Sequence, residues 1–451
     1  MKRLTSLSLS GLLLLGAPAA VTDVVQRQNW PWDDLVAVDF ALTALDGPVD
    51  VSLRAWSGGE DLGDVPEAAL SGSRYALAQE RSYRLVVDPA KCPAFAGRAR
   101  MASFRFEVKT RPSTRADVLY REVDLTRPGT WRDITRGDIL NGAWGAYETD
   151  PDWIQAHVKQ NIEVWSGVPN LFLTGVTNNA LYATDRLLLR RVNAGSYIVG
   201  SSSGNATSKR RTVTFTQPYW IGVFELTQRQ WERVMGAAAP DKQGKGDRRP
   251  VSGVTFDAVR GCAADNPAYN WPTGREVAPA SFIGKLRALT GLPFDLPTEA
   301  QWQAAAGAGA YDCGCYDGST SKANGEEDPG WRLARCATNA GTTGSPFGGS
   351  AYVGRYLPNA LGLYDALGNV RELALDWFAA TTLGAQLTDD EGPAPDAAIP
   401  NRCILGGAAS QSLTGGSILS GNRGDATITP STAHNDVGFR VCLPAGEAAH
   451  D

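Results

Sequence analysis

The sequence predicts two folded parts in series, a small all-β sandwich over residues 21–110 and an α+β domain with few regular elements over residues 185–445. Three observations predict this. Apolar and polar residues alternate at period two between about residues 33 and 109. Beyond residue 185 the alternation gives way to short, capped helical segments separated by long loops. The 49 glycines and 26 prolines of the 451-residue chain suit many turns rather than long helices.

The first twenty residues, MKRLTSLSLSGLLLLGAPAA, read as a secretory signal. Lys2 and Arg3 give the charged start, Leu7 to Leu15 the apolar run and Ala17-Pro18-Ala19 a cleavage site. The run is too short to span a bilayer, and no later segment is long and apolar enough. The expectation is a soluble protein exported to the periplasm, the cell surface or the medium, with no membrane insertion. A formal net charge of -5 gives no electrostatic case for nucleic acid or anionic lipid. Export permits disulfides, and seven cysteines leave at least one unpaired within a monomer. Cys313 and Cys315 lack the second half of a zinc site, which favours a disulfide or an ordinary loop pair.

In the predicted sandwich, LVAVDFAL puts Val36, Val38, Phe40 and Leu42 on one face. VDVSLRA repeats the pattern, and ASFRFEVKT sets Phe104, Phe106 and Val108 inward against Arg105, Glu107 and Lys109. The class is immunoglobulin-like, and no cluster in it carries chemistry, so its expected role is spacer or docking module. Residues 111–184 lack sustained periodicity and read as an irregular connector with room for a short strand or two.

Three helices are legible after that. FELTQRQWERVMG carries a capping box, Thr227 with Gln230, and stops at Gly236. PASFIGKLRALTG lines Phe282, Ile283, Leu286 and Leu289 on one face between Pro279 and Gly291. LPTEAQWQAAAG repeats the capping box with Thr298 and Gln301 and turns Trp302, Ala305 and Ala306 inward.

Seven segments, in order, resemble the formylglycine-generating enzyme (sulfatase-modifying factor) family. They are VNAGSYIVGS, YWIGVFELTQRQW, RPVSGVTFDAV, LPFDLPTEAQWQAAA, LPNALGLYDALGNVRELALDWF, RCILGG and DVGFRVCL. The resemblance spans about residues 185–445 and implies a C-type-lectin-like fold. It does not by itself fix the chemistry, because one fold hosts many functions.

Family catalysis rests on a copper-binding cysteine pair spaced C-x4-C after the paired glycines. Those positions fall here at Gln411 and Gly416, and neither residue can form a thiolate. A related branch holds iron with histidines, but of His157, His434 and His450 only His434 lies in the domain, so a three-histidine centre is excluded by counting. The resemblance also implies a structural calcium ion on the side chains of Asp365 and Glu372 and the carbonyls of Gly368 and Val370. Two carboxylates around a Gly-Asn turn suit a hard cation; solvated acids, or acids paired with Arg371, are the alternative reading. Arg371 and Leu373 replace two large aromatics of the signature, and Ala408-Ala409 replace Ser-Trp, which implies a repacked groove floor.

The family's ligand-facing surface corresponds to residues 406–436. Candidate contacts there are Ser410, Gln411, Ser412, Thr414, Ser417, Asn422, Arg423 and His434, with Arg371 beside them. The leading expectation is a non-catalytic, calcium-stabilised module that binds a peptide, a glycan or a cell-surface protein. The alternative is an enzyme of the same family, either a formylglycine-generating-type oxidase or one using other metal or thiol ligands such as Cys313, Cys315 or Cys336. A third reading is a variable binding protein of a diversity-generating retroelement.

Overall fold

A computed structural model of the chain describes residues 19–28, 33–98, 101, 103–114, 117–142, 176–177, 179–200, 210–307, 334–337, 340, 349–356, 358–359, 361–379, 386–396, 400–411 and 428–444. The chain divides into two units, Met1–Asp117 with Thr135–Ala143, and Val118–Ile134 with Trp144–Asp451. Residues 1–18, most of the expected export signal, lie outside the described residues.

The first unit is a sandwich built by the alternation. One sheet holds β1 (Ala20–Gln28), β2 (Val36–Thr43), β5 (Leu70–Ser71) and β6 (Ser82–Val87) in the order β1-β2-β6-β5. The other holds β3 (Val49–Ser57), β4 (Glu60–Asp64) and β7 (Arg105–Pro112) in the order β4-β3-β7. Val38, Phe40 and Leu42 of β2 meet Leu53 and Ala55 of β3, Leu85 of β6 and Phe106 of β7 in one core. Val36, Phe104 and Val108 close its edges, partly buried. A short helix, α1 (Arg136–Leu140), returns to this unit with a Thr135/Asp138 capping box. The Asn141 side chain then accepts from the Arg74 and Tyr75 amides, both at 2.8 Å.

The second unit is α+β. Its largest sheet has the order β18-β13-β10-β8-β9, made of β8 (Val118–Asp124), β9 (Trp131–Thr135), β10 (Arg186–Val192), β13 (Tyr219–Gly222) and β18 (Cys442–Pro444). The stretch read as a connector therefore supplies two strands of this sheet. The charged side chains of β8 hide its strand pattern, because Arg121, Glu122 and Asp124 are buried and paired. Arg121 meets Asp133 at 2.7 Å and lies over the Trp131 and Trp220 rings, while Glu122 accepts from Arg186 and Tyr182.

Helices α2 (Gln228–Met235), α3 (Phe256–Arg260), α4 (Phe282–Thr290) and α5 (Glu299–Gly307) complete the domain with two three-stranded sheets. The capping boxes of Thr227/Gln230 and Thr298/Gln301 both form. Helix α4 starts three residues later than Pro279 would place it, because the Ser281 hydroxyl accepts from the Gly284 amide and fixes the first turn there. Trp231 stacks on Phe282 at 5.1 Å, and Phe282 meets Phe439 edge-on at 5.2 Å, locking α2 and α4 against the GFR segment. Of the other two sheets, one is β11 (Gly195–Val199), β12 (Arg211–Phe215) and β15 (Gln386–Thr388). The last, β16-β14-β17, joins β14 (Arg371–Trp377), β16 (Arg402–Leu405) and β17 (Val437–Gly438) and carries the residues singled out above. Among the described residues no helix is long and apolar enough to cross a membrane.

Candidate functional site

The site grows from the turn that leads into β14. Asp365, Gly368 and Asn369 all adopt left-handed backbone angles, with φ of 54°, 75° and 60°. Glycine is required at 368, since a Cβ there would lie 2.2 Å from the Arg335 carbonyl oxygen. Asn369 is fully buried and acts as the hub of the turn. Its amide group donates to Glu225 at 2.5 Å and accepts from the Ala351 N–H at 2.7 Å, and its carbonyl accepts from the Ala409 N–H at 2.9 Å. Glu225 also accepts from the Val370 N–H at 3.0 Å.

Beneath the turn lie three buried carboxylates, Glu225, Asp365 and Glu372, with one guanidinium, Arg440. Arg440 grips both oxygens of Glu372 at 2.6 Å, and the Trp302 indole donates to the same carboxylate at 2.8 Å. One Asp365 oxygen accepts from the Gly354 N–H at 2.6 Å; the other is buried with no hydrogen-bond partner. Burial pushes the Asp365 carboxyl up to about 7 in spite of the Gly354 amide and Arg440, and the Glu372 charge adds to the rise. Glu225 is held well above the ordinary carboxylate range, first by burial and then by Asp365 and Glu372.

This arrangement tests the calcium expectation for Asp365, Gly368, Val370 and Glu372. The structure brings both carboxylates into one cluster, but as the side chains stand the set does not fit the ion. Glu372 is committed to Arg440 and Trp302, and a cation beside it would face a buried guanidinium. The alternative reading, a pair with Arg371, is not formed either. Arg371 turns the other way, donating to Asp436 at 2.5 Å, and Arg440 takes the role instead. The sequence clue to Arg440 is the GFR segment, which resembles the family without naming the arginine's partner.

At the surface above the turn, Arg371 and Ser410 converge on Asp436, the serine hydroxyl at 3.4 Å. Nε of Arg371 and Nε2 of His434 are buried and have no hydrogen-bond partner among the described residues. Asp436 is a residue the sequence reading missed. Gln411 folds back on its own loop, its side-chain oxygen accepting from the Ala408 N–H at 3.0 Å and its carbonyl from the Ala337 N–H at 2.9 Å. Ala408, Ala409 and Leu373 are buried, as expected of a repacked floor, and Gly406 passes so close that a Cβ would sit 3.0 Å from the Trp302 ring. Ser412, Thr414, Ser417, Asn422 and Arg423 lie outside the described residues, as do Gly416, Cys313 and Cys315.

The described thiols of the domain do not converge. Cys403 points at Glu299 at 3.4 Å, Cys336 and Cys442 are buried elsewhere, and burial pushes the Cys442 thiol far up.

A family model described as the sulfatase-modifying factor enzyme 1-like domain matches residues 185–445. Chaperone protein LppX of Paenibacillus barcinonensis is 28% identical over 239 residues, covering 48% of this chain and 79% of that protein. Among solved structures, Treponema denticola variable protein 1 gives a TM-score of 0.42 at 24% identity, covering 57% of this chain and 95% of that one. PvdO from Pseudomonas aeruginosa gives 0.43 at 20% identity, covering 57% and 94%.

Proposed function

This chain belongs to the sulfatase-modifying factor enzyme 1-like family over residues 185–445, and on that premise we propose that it is an exported binding module rather than an oxidase. One observation carries the reading. Where the family places its first copper-binding cysteine, Gln411 spends its side chain on the Ala408 amide and so braces the loop. An amide used in this way neither seats a soft metal nor attacks a substrate. The binding face is the surface around Ser410, Asp436 and His434, with Arg371 behind it. A polypeptide partner is favoured over a glycan by the name of the Paenibacillus relative, a chaperone protein.

In this proposal Arg440 supplies the positive charge that a calcium ion was expected to give. The turnover test is incubation of the copper-loaded protein with a sulfatase-type cysteine peptide, followed by mass spectrometry; formylglycine in the product would end the binding-only reading. The binding test is a peptide and glycan array probed with the whole chain. Loss of the array signal in Ser410→Ala and His434→Ala variants is the supporting result.

A further inference from the structure

A basic segment packs beside an exposed tyrosine. Tyr352 is 43% exposed, Arg248 beside it is exposed, and exposed Lys242 and Lys245 lie on the same segment as Arg248, with exposed Arg355 three residues beyond the tyrosine. Arg248 lies 4.9 Å and Arg249 5.7 Å from the ring centroid, so the aromatic face holds two guanidinium groups in place. Arg249 is also anchored by donation to the Ser350 carbonyl, and the Val353 amide donates to the Arg248 carbonyl at 2.9 Å, which ties the two segments together. Among the described residues none of these five cations is in an ion pair, whereas arginines on both sides of them in sequence, Arg233 and Arg260, are. The five cations outnumber Asp241 and Asp247 in the same segment, a local excess of positive charge on a chain whose net charge is -5.

The segment carrying Tyr352 and the segment carrying Ser410 are held by one buried residue. Asn369 bonds the Ala351 amide, next to Tyr352, and the Ala409 amide, next to Ser410. We propose that the patch around Tyr352 binds an acidic peptide segment of the partner, an inference that rests on the binding-module reading and names the partner's chemistry. Guanidinium forks match carboxylates, and an exposed tyrosine adds contact area beside them. Asp241 and Asp247 interleave with the cations, and would repel a continuous phosphate backbone more than a peptide with spaced carboxylates.

The test uses the full chain and a fluorescein-labelled peptide of alternating Glu and Ser, read by anisotropy, with the Lys counterpart as control. The acidic peptide should bind and the basic one should not, and binding should weaken steeply as salt rises from about 0.05 to 0.5 M. Lys245→Glu with Arg248→Glu should weaken binding by about tenfold or more at unchanged melting temperature. No binding of the acidic peptide, no effect of the double variant, or tighter binding of duplex DNA or phosphatidylserine vesicles would overturn the proposal. A Ser410→Ala/His434→Ala variant separates the two readings. If it keeps acidic-peptide binding that the charge-reversal variant loses, the patch stands even where the loop face fails.

Discussion

Arg440 and Glu372 form a two-pronged pair at 2.6 Å with neither side chain exposed to solvent. Arg440 also donates to the Gly222 carbonyl at 2.9 Å and the Tyr364 carbonyl at 3.2 Å, so the pair stitches β13 and β14 to the turn between them in space. Removing one partner strands a buried charge, which typically costs about 3–5 kcal/mol. Arg440→Met and Glu372→Gln are each expected to fall in or near that range in urea unfolding. The double variant Glu372→Leu/Arg440→Met should lose clearly less than the two single losses added together. Additive losses would show that the pair is not a unit.

The same pair sets the response to metal removal. Because Arg440 already neutralises Glu372, chelation with EGTA should leave the melting temperature unchanged. A fall of about 5 °C or more, restored by calcium, would mean that Glu372 releases Arg440 to take up the ion. Isothermal titration with calcium on the chelated protein gives an independent answer.

The sequence carried the sandwich core and the helix ends because those features are local. Val38, Phe40 and Leu42 alternate on one strand, and each capping box spans only four residues. It did not carry the partner of Glu372, which lies 68 residues away at Arg440, nor the convergence of Arg371 and Ser410 on Asp436. Strands β8 and β9 were legible only as room for a short strand or two, for a related reason. Arg121, Glu122 and Asp124 of β8 are buried in pairs, and a periodicity argument counts such residues as solvent-facing.

Acid should weaken the end of strand β8 in the large sheet. Burial alone would raise the Asp124 carboxyl, but the Thr126 hydroxyl and amide and the Arg127 guanidinium hold it down to about 2. A folded-state value below the unfolded one stabilises the protein above the unfolded value, near 4, and that stability is lost as pH falls toward 2. Asp124→Asn should therefore cost about 1–2 kcal/mol at pH 7 and progressively less at lower pH. Unfolding midpoints at pH 7 and pH 3 for both proteins give the comparison. An equal loss at the two values would assign the effect to packing.

Asn369 is the position where stability and the proposed binding face are coupled. It joins Glu225, the Ala351 segment and the Ala409 segment through one buried side chain and its own carbonyl. Asn369→Ala removes a donor from Glu225 and an acceptor from the Ala351 amide, two unmet buried groups at about 1–3 kcal/mol each. Alanine also tolerates the left-handed backbone at 369 less well than asparagine does. The expected outcome is a stability loss of about 2–5 kcal/mol. Faster amide exchange should be confined at first to Ala351 and Ala409, the two segments that carry Tyr352 and Ser410. Slow exchange at both, in a variant that has lost stability, would show that the two halves of the face are positioned without Asn369.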